Sequence, residues 1–168
     1  MMMSKRLPPR PFDFPNHGFN LTGALIDALG DLEYAPAADE LFKLRGGDYD
    51  AEATRALAKL VPDRLTQELL STARDKQIDS YLREQALVAL GNLSATNYVR
   101  DLVPLLDDTT PIVYTRTIPG MDWRICDRAA ETMAILLGWE RGMPPMFLRP
   151  EQREEMMTRA REWAKQTP

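Results

Sequence analysis

LREQALVALGNLSATNYVRDLVPLLDD, residues 82–108, carries the period that decides the fold. Its first half sets Leu82, Ala86, Ala89, Leu90 and Leu93 at the i, i+3, i+4 spacing of a helix with one apolar face. Its second half repeats the pattern at Tyr98, Val99, Leu102, Val103 and Leu106. Gly91 and Asn92, which tolerate the left-handed conformation of a C-terminal cap, are expected to end the first helix. The unit is a helical hairpin, and no catalytic motif is attached to it.

Working outward, the Ala-Leu-Gly at Ala89 has an earlier copy at Ala28, 61 residues before it. The copies read ALGDLEYAPAADELFKL and ALGNLSATNYVRDLVPLL, and RALAKLVPDRLTQELL lies between them at about half the interval. A first helix from Asn20, its candidate N-cap, puts Leu21, Ala24, Leu25, Ala28, Leu29 and Leu32 on one face, with Gly30 expected to close it. Pro36 opens its partner, which holds Ala38, Leu41, Phe42 and Leu44 and stops at Gly46-Gly47. Asp50 is the candidate N-cap of the next hairpin. Val61-Pro62 breaks that hairpin between Ala53, Ala56, Leu57, Leu60 and Leu65, Leu69, Ala73.

After the third hairpin, the interruption 107–121, DDTTPIVYTRTIPGM, reads as an extended loop insertion. It is about twice the roughly 8-residue maximum of ordinary helix connections. Helix resumes at Asp122 with Cys126, Ala129, Ala130, Met133, Leu136 and Leu137 inward and ends at Gly138. A last helix over 150–166 has Glu151, Glu154 and Glu155 early and Lys165 late, matching the helix dipole, with Met156, Ala160, Trp163 and Ala164 as its apolar face. Residues 1–19 are Pro-rich without helical period and read as an extended or disordered tail, with Phe12 and Phe14 placed to dock on the first hairpin. Residues 20–168 read as a single domain.

Helix-pair repeats of about 30 residues mark an α-solenoid, in which each pair buries its apolar stripe only by stacking on its neighbours. LREQALVALGNL, the LVPLLDD that follows and DWRICDRAAETMAILLG together resemble the HEAT-repeat proteins, in particular the short HEAT-like repeats named after phycobilisome lyases. The resemblance covers roughly residues 20–138, and the last helix is similar to the capping helix that often follows. It implies an all-α fold, a right-handed α-α superhelix of about four helix pairs, with the second helices lining an inner surface. For function it implies most often a noncatalytic adaptor, with a bilin-lyase-like enzyme or a DNA-repair module of the HEAT-like glycosylase type as alternatives.

Chemistry-bearing residues are few. His17 is the only histidine, so no His cluster can bind zinc or iron and no conventional Ser-His-Asp triad has a base; no metal site and no cofactor are expected. Gly46-Gly47 lacks the strand and the Gly-Lys-Ser/Thr of a phosphate loop. Cys126 sits on an apolar face and reads as a core thiol. Asp122-Trp123-Arg124 matches residue types that the HEAT-like glycosylases use, but Asp122 also fits an N-cap and Trp123 a hairpin junction, so no catalytic residue is assigned. The interruption and its flanks supply Tyr114, Arg116, Ile118, Met121, Trp123, Arg124, Trp139, Arg141 and Phe147, a candidate binding patch rich in the residue types that anchor interfaces. The polar sides of the second helices supply Lys43, Arg64, Gln67, Asn97, Arg100 and Asp101.

Composition agrees with a globular domain that needs no staples: 168 residues, 44% hydrophobic, bury roughly 68–70% of the unfolded surface. The single cysteine excludes an internal disulfide and fits a reducing compartment. No apolar run approaches the roughly 20 residues of a membrane span, and the N-terminus is too polar for a signal peptide, so a cytoplasmic location is expected. A net charge of −4 disfavours a nucleic-acid partner. The expected partner is another protein, and the sequence leaves the oligomeric state open.

Overall fold

A computed structural model describes residues 21–113, 122–139 and 149–166. In chain order these form α1 (Leu21–Asp31), a 3₁₀ turn (Ala35–Ala37) running into α2 (Ala38–Lys43), α3 (Asp50–Leu60), α4 (Pro62–Arg74), α5 (Ser80–Asn92), a 3₁₀ helix (Thr96–Asp107), α6 (Ile125–Leu136) and α7 (Pro150–Gln166). The fold is all-α. Among the described residues the one β contact is an isolated bridge between Pro111 and Arg124.

Each element packs on the pair that follows. α1 and α2 lie against α3, α4 against α5, α5 against α6, and the 3₁₀ helix against α6 and α7. Four helix pairs therefore stack in sequence order around one core, whose largest enclosed side chains include Leu41, Leu57, Leu65, Leu69, Leu87, Leu90, Leu102, Ile125 and Met133. As expected of an interior layer, α5 is covered by both neighbours: besides Ala86, Leu87 and Leu90 it buries Arg83 and Glu84, while Leu82, expected inward, is exposed. α6 is more enclosed still, with ten of its twelve residues buried.

The repeated Ala-Leu-Gly has a different meaning from the one expected. Neither glycine ends its helix. Gly30 is buried inside α1, where an added Cβ would lie 2.8 Å from the Ala56 Cα, and Gly91 inside α5, where it would lie 3.0 Å from Ile135 Cδ1. Both are contact points for the next layer. The turn comes three residues later, at Glu33 and Ser94, each with φ 52°. Their N–H groups donate back to the Gly30 and Gly91 carbonyls at 3.1 and 3.3 Å, and a 3₁₀ segment begins two residues on in both copies. The 61-residue echo is thus an echo of backbone geometry. A left-handed L-residue costs roughly 1–2 kcal/mol, which the third such end avoids by using Gly138, φ 65°.

Close approach also turns α1 over. The buried residues of α1 are Gly23, Ile26 and Gly30; of the leucine stripe expected inside, Leu29 packs half-buried on the core while Leu21, Leu25 and Leu32 are each more than half exposed. Other expectations change less. Asp50 does not cap α3 from outside; it is the first helical residue, and its carboxylate accepts from the Gly46 N–H at 2.8 Å, closing the turn that left-handed Gly46 opens. The segment 96–107 winds as 3₁₀ rather than α and buries Val99, Leu102 and Leu105 at intervals of three, with Leu106 beside them. α7 buries Ala160 as expected, together with Arg153 and Met157, while Met156 and Trp163 pack half-buried against the core. α6 begins at Ile125, not at Asp122.

Candidate functional site

Asp122, Trp123 and Arg124 fold into a charged junction between α5, α6 and α7. Trp123 is 1% exposed, and its ring lies between two guanidiniums, Arg128 at 4.5 Å and Arg153 at 5.4 Å from the centroid. Buried this way it is not a surface anchor, which corrects its place in the expected patch. Nor is Asp122 the N-cap: its carboxylate accepts from Arg153 at 2.7 Å, a hydrogen bond that holds its pKa below the usual range. The N-cap is Arg124, whose N–H and Nε both donate to the buried Asp127 carboxylate at 2.9 Å. Hydrogen bonds to Asp127 and then Glu154 raise the Arg124 pKa further above its normal value. Arg128 donates to Glu84 and Glu131, whose charges outweigh the burial that would otherwise lower its pKa. Three guanidiniums, of Arg124, Arg128 and Arg153, are thus set among five carboxylates, and the ion pairs between them join α5, α6 and α7. Cys126 is a core thiol, pushed up by burial.

Trp139, half-buried beneath Arg159 at 4.3 Å, stands beyond the far end of α6. Twelve residues of helix put about 18 Å between that end and Trp123. Tyr114, Arg116, Ile118, Met121, Arg141 and Phe147 lie outside the described residues, as do His17, Phe12 and Phe14.

The second-helix candidates form a surface instead. Lys43, Arg64, Gln67, Asn97 and Arg100 are exposed and Asp101 is half-buried. They come from α2, α4 and the 3₁₀ helix, and ion pairs stitch these layers together: Arg64 to Asp39 at 2.6 Å and Arg74 to Asp101 at 2.7 Å. Arg64 also lies over the Phe42 ring at 4.3 Å, while Lys43 pairs within its own helix with Glu40 at 2.6 Å.

Sequence reasoning placed Asn97 on this surface but missed the cleft that Asn97 lines. One residue, Val61, joins α3 to α4, whereas three, residues 93–95, join α5 to the 3₁₀ helix. An open cleft of about 340 Å³ lies between the second and third pairs, bounded by Pro62, Asp63 and Thr66 on one side and by Asn92, Ser94 and Thr96–Tyr98 on the other. Among the described residues no group of three or more His, Cys, Asp or Glu side chains is placed to hold a metal, and no helix is long and apolar enough to cross a membrane. The chain matches no family model, no curated protein and no solved structure.

Proposed function

We propose that this chain is a noncatalytic protein-binding adaptor, built from stacked helix pairs of the HEAT-like kind, that works in the cytoplasm as one domain over residues 20–168. The observation that carries the reading is the continuity of the second-helix face. Polar and cationic side chains from three successive elements, Lys43 of α2, Arg64 and Gln67 of α4, and Asn97 and Arg100 of the 3₁₀ helix, are exposed along it. A stack of helix pairs offers its partner such an extended face, to which each layer adds a few contacts. The Asp122-Trp123-Arg124 junction supports the same reading by another route, since its charges are taken up in joining α5, α6 and α7.

The test is affinity capture from the native host with the wild-type chain and with an Arg64→Glu/Arg100→Glu variant. Circular dichroism checks that the variant keeps its helices. The wild type is expected to recover a partner that the variant loses. A variant that recovers the same proteins in the same amounts sinks the second-helix face as the docking surface, and a wild type that recovers none sinks the adaptor reading itself.

A further inference from the structure

We propose that the cleft between the second and third helix pairs is a subsite for a cationic side chain, arginine or lysine, of a protein partner. The proposal rests on the protein-binding reading only for the source of that side chain.

Its chemistry follows from the lining. Asp63 is the one charged group among the described residues that line the cleft, and among those residues no basic side chain pairs with it. Around it stand the neutral oxygens of Ser94, Thr96 and Tyr98 and the amides of Asn92 and Asn97, all able to accept from an N–H donor. The Tyr98 hydroxyl reaches the Asp63 carboxylate only at 3.5 Å, so that carboxylate keeps most of its accepting capacity. Burial and then the neighbouring Asp63 and Asp101 carboxylates raise the Tyr98 pKa.

Size narrows the ligand. About 340 Å³ is at the lower end of small-molecule pockets, which run about 300–1,000 Å³, and suits one long side chain better than a nucleotide or a tetrapyrrole. A hard metal ion is a poorer fit, because six or more oxygens with several carboxylates normally hold one and here a single carboxylate is present. A guanidinium or ammonium group needs one carboxylate and a few neutral acceptors. The site adjoins the exposed second-helix face at Asn97, so a partner lying along that face can drop one basic side chain into it.

The experiment is a titration of the ¹⁵N-labelled full chain with N-acetyl-arginine methylamide, followed by amide chemical shifts. Binding at an exposed single-carboxylate site is expected to be weak, with shifts that grow through the millimolar range of added probe. Shifts are expected at residues 63–66 and 94–98. The citrulline analogue, equal in shape and uncharged, should leave them in place, and Asp63→Asn should weaken arginine binding at least about five-fold while the remaining spectrum stays superimposable. Equal responses to arginine and citrulline, unchanged affinity in Asp63→Asn, or shifts confined to other parts of the chain would each overturn the subsite. The probe needs no partner, so its failure removes the subsite and leaves the adaptor reading standing. Conversely, a chain that binds the probe but captures no protein loses that reading and keeps the cation site.

Discussion

The molecule uses the same residue types in two opposite settings. Between α5, α6 and α7, and again at the root of the third pair, Arg83, Glu84, Asp108, Asp127, Glu131 and Arg153 are buried. Along α1 and α3 and across the second helices, Asp27–Arg55, Asp31–Lys59, Asp39–Arg64 and Arg74–Asp101 form a ladder in solvent. Burial makes the difference. A charge in the interior has lost its water and depends on its partner, whereas a charge in the ladder is solvated with or without one. The buried pairs also each join particular segments: Arg83 of α5 to Asp108 after the 3₁₀ helix, Glu84 of α5 to Arg128 of α6, Arg153 of α7 to Asp127 of α6. In a stack of similar apolar helices, such pairs discriminate against mispaired layers, because a wrong neighbour would strand a charge.

The largest expected effect comes from splitting the Arg83–Asp108 pair. Arg83 donates to Asp108 at 2.5 Å and to the Ala73 carbonyl at 2.9 Å, and the two side chains are 1% and 4% exposed. Arg83→Leu or Asp108→Leu alone leaves an uncompensated buried charge and should cost about 3–5 kcal/mol in urea unfolding, while the double variant should return much of that loss. Singles that cost no more than the double would end the comparison with the surface ladder.

A second effect isolates the charge itself. Burial pushes the Asp108 carboxyl up, but hydrogen bonds from Arg83 and Thr110 and the Arg83 charge outweigh it and hold its pKa at about 2, against 3.8 unperturbed. A folded pKa below the unfolded one means the contribution is complete above pH 3.8 and disappears as pH falls toward 2. The full span is worth about 2 kcal/mol. Between about pH 5 and pH 3 the wild type should lose about 1 kcal/mol more than Asp108→Asn; parallel pH curves would refute it.

How far the sequence shows this division is uneven. The hairpins and the buried Leu57, Leu65, Leu69 and Leu90 follow from apolar spacing, and the interior position of α5 from the Ala-Leu-Gly copies 61 residues apart. The outward leucines of α1 do not, because glycine adds nothing to an apolar pattern yet gains most from close helix contact at Gly30 and Ala56. Arg83, Glu84, Asp127 and Glu131 read as solvent positions in any pattern, since only their partners, 25 to 44 residues away or on the enclosed α6, make burial tolerable. Of the candidate surface, the second-helix residues are legible as polar positions, while the cleft forms where residues 58–66 and 92–98 meet across two pairs and no local pattern marks it.

The glycine contacts give a third, intermediate effect. At Gly30 an added methyl meets backbone, the Ala56 Cα at 2.8 Å, so α1 must move away from α3. Gly30→Ala should cost about 1–3 kcal/mol by overpacking. At Gly91 the methyl meets the end of the Ile135 side chain at 3.0 Å, which can rotate, and the helix gains up to about 1 kcal/mol of propensity, so Gly91→Ala should stay within about 1 kcal/mol of wild type. Chemical unfolding of the two variants side by side reads the ranking, and the reverse order would mean that α5 and α6 are the tighter pair.

The smallest effect belongs to the ladder, and it completes the comparison. Arg55 donates from Nε and a terminal nitrogen to the two Asp27 oxygens at 3.2 and 3.0 Å, a bidentate arrangement, yet the side chains are 54% and 40% exposed. Geometry favours this pair, but solvent screens it. A double-mutant cycle with Arg55→Ala and Asp27→Ala should give a coupling of about 0.2–1 kcal/mol that shrinks further as salt is raised, since the Debye length falls from about 10 Å at 0.1 M to about 3 Å at 1 M. The Arg83–Asp108 cycle should be several times larger and nearly independent of salt. Equal couplings, or equal salt dependence, would mean that bidentate geometry, and not removal of water, sets the strength of ion pairs between these helices.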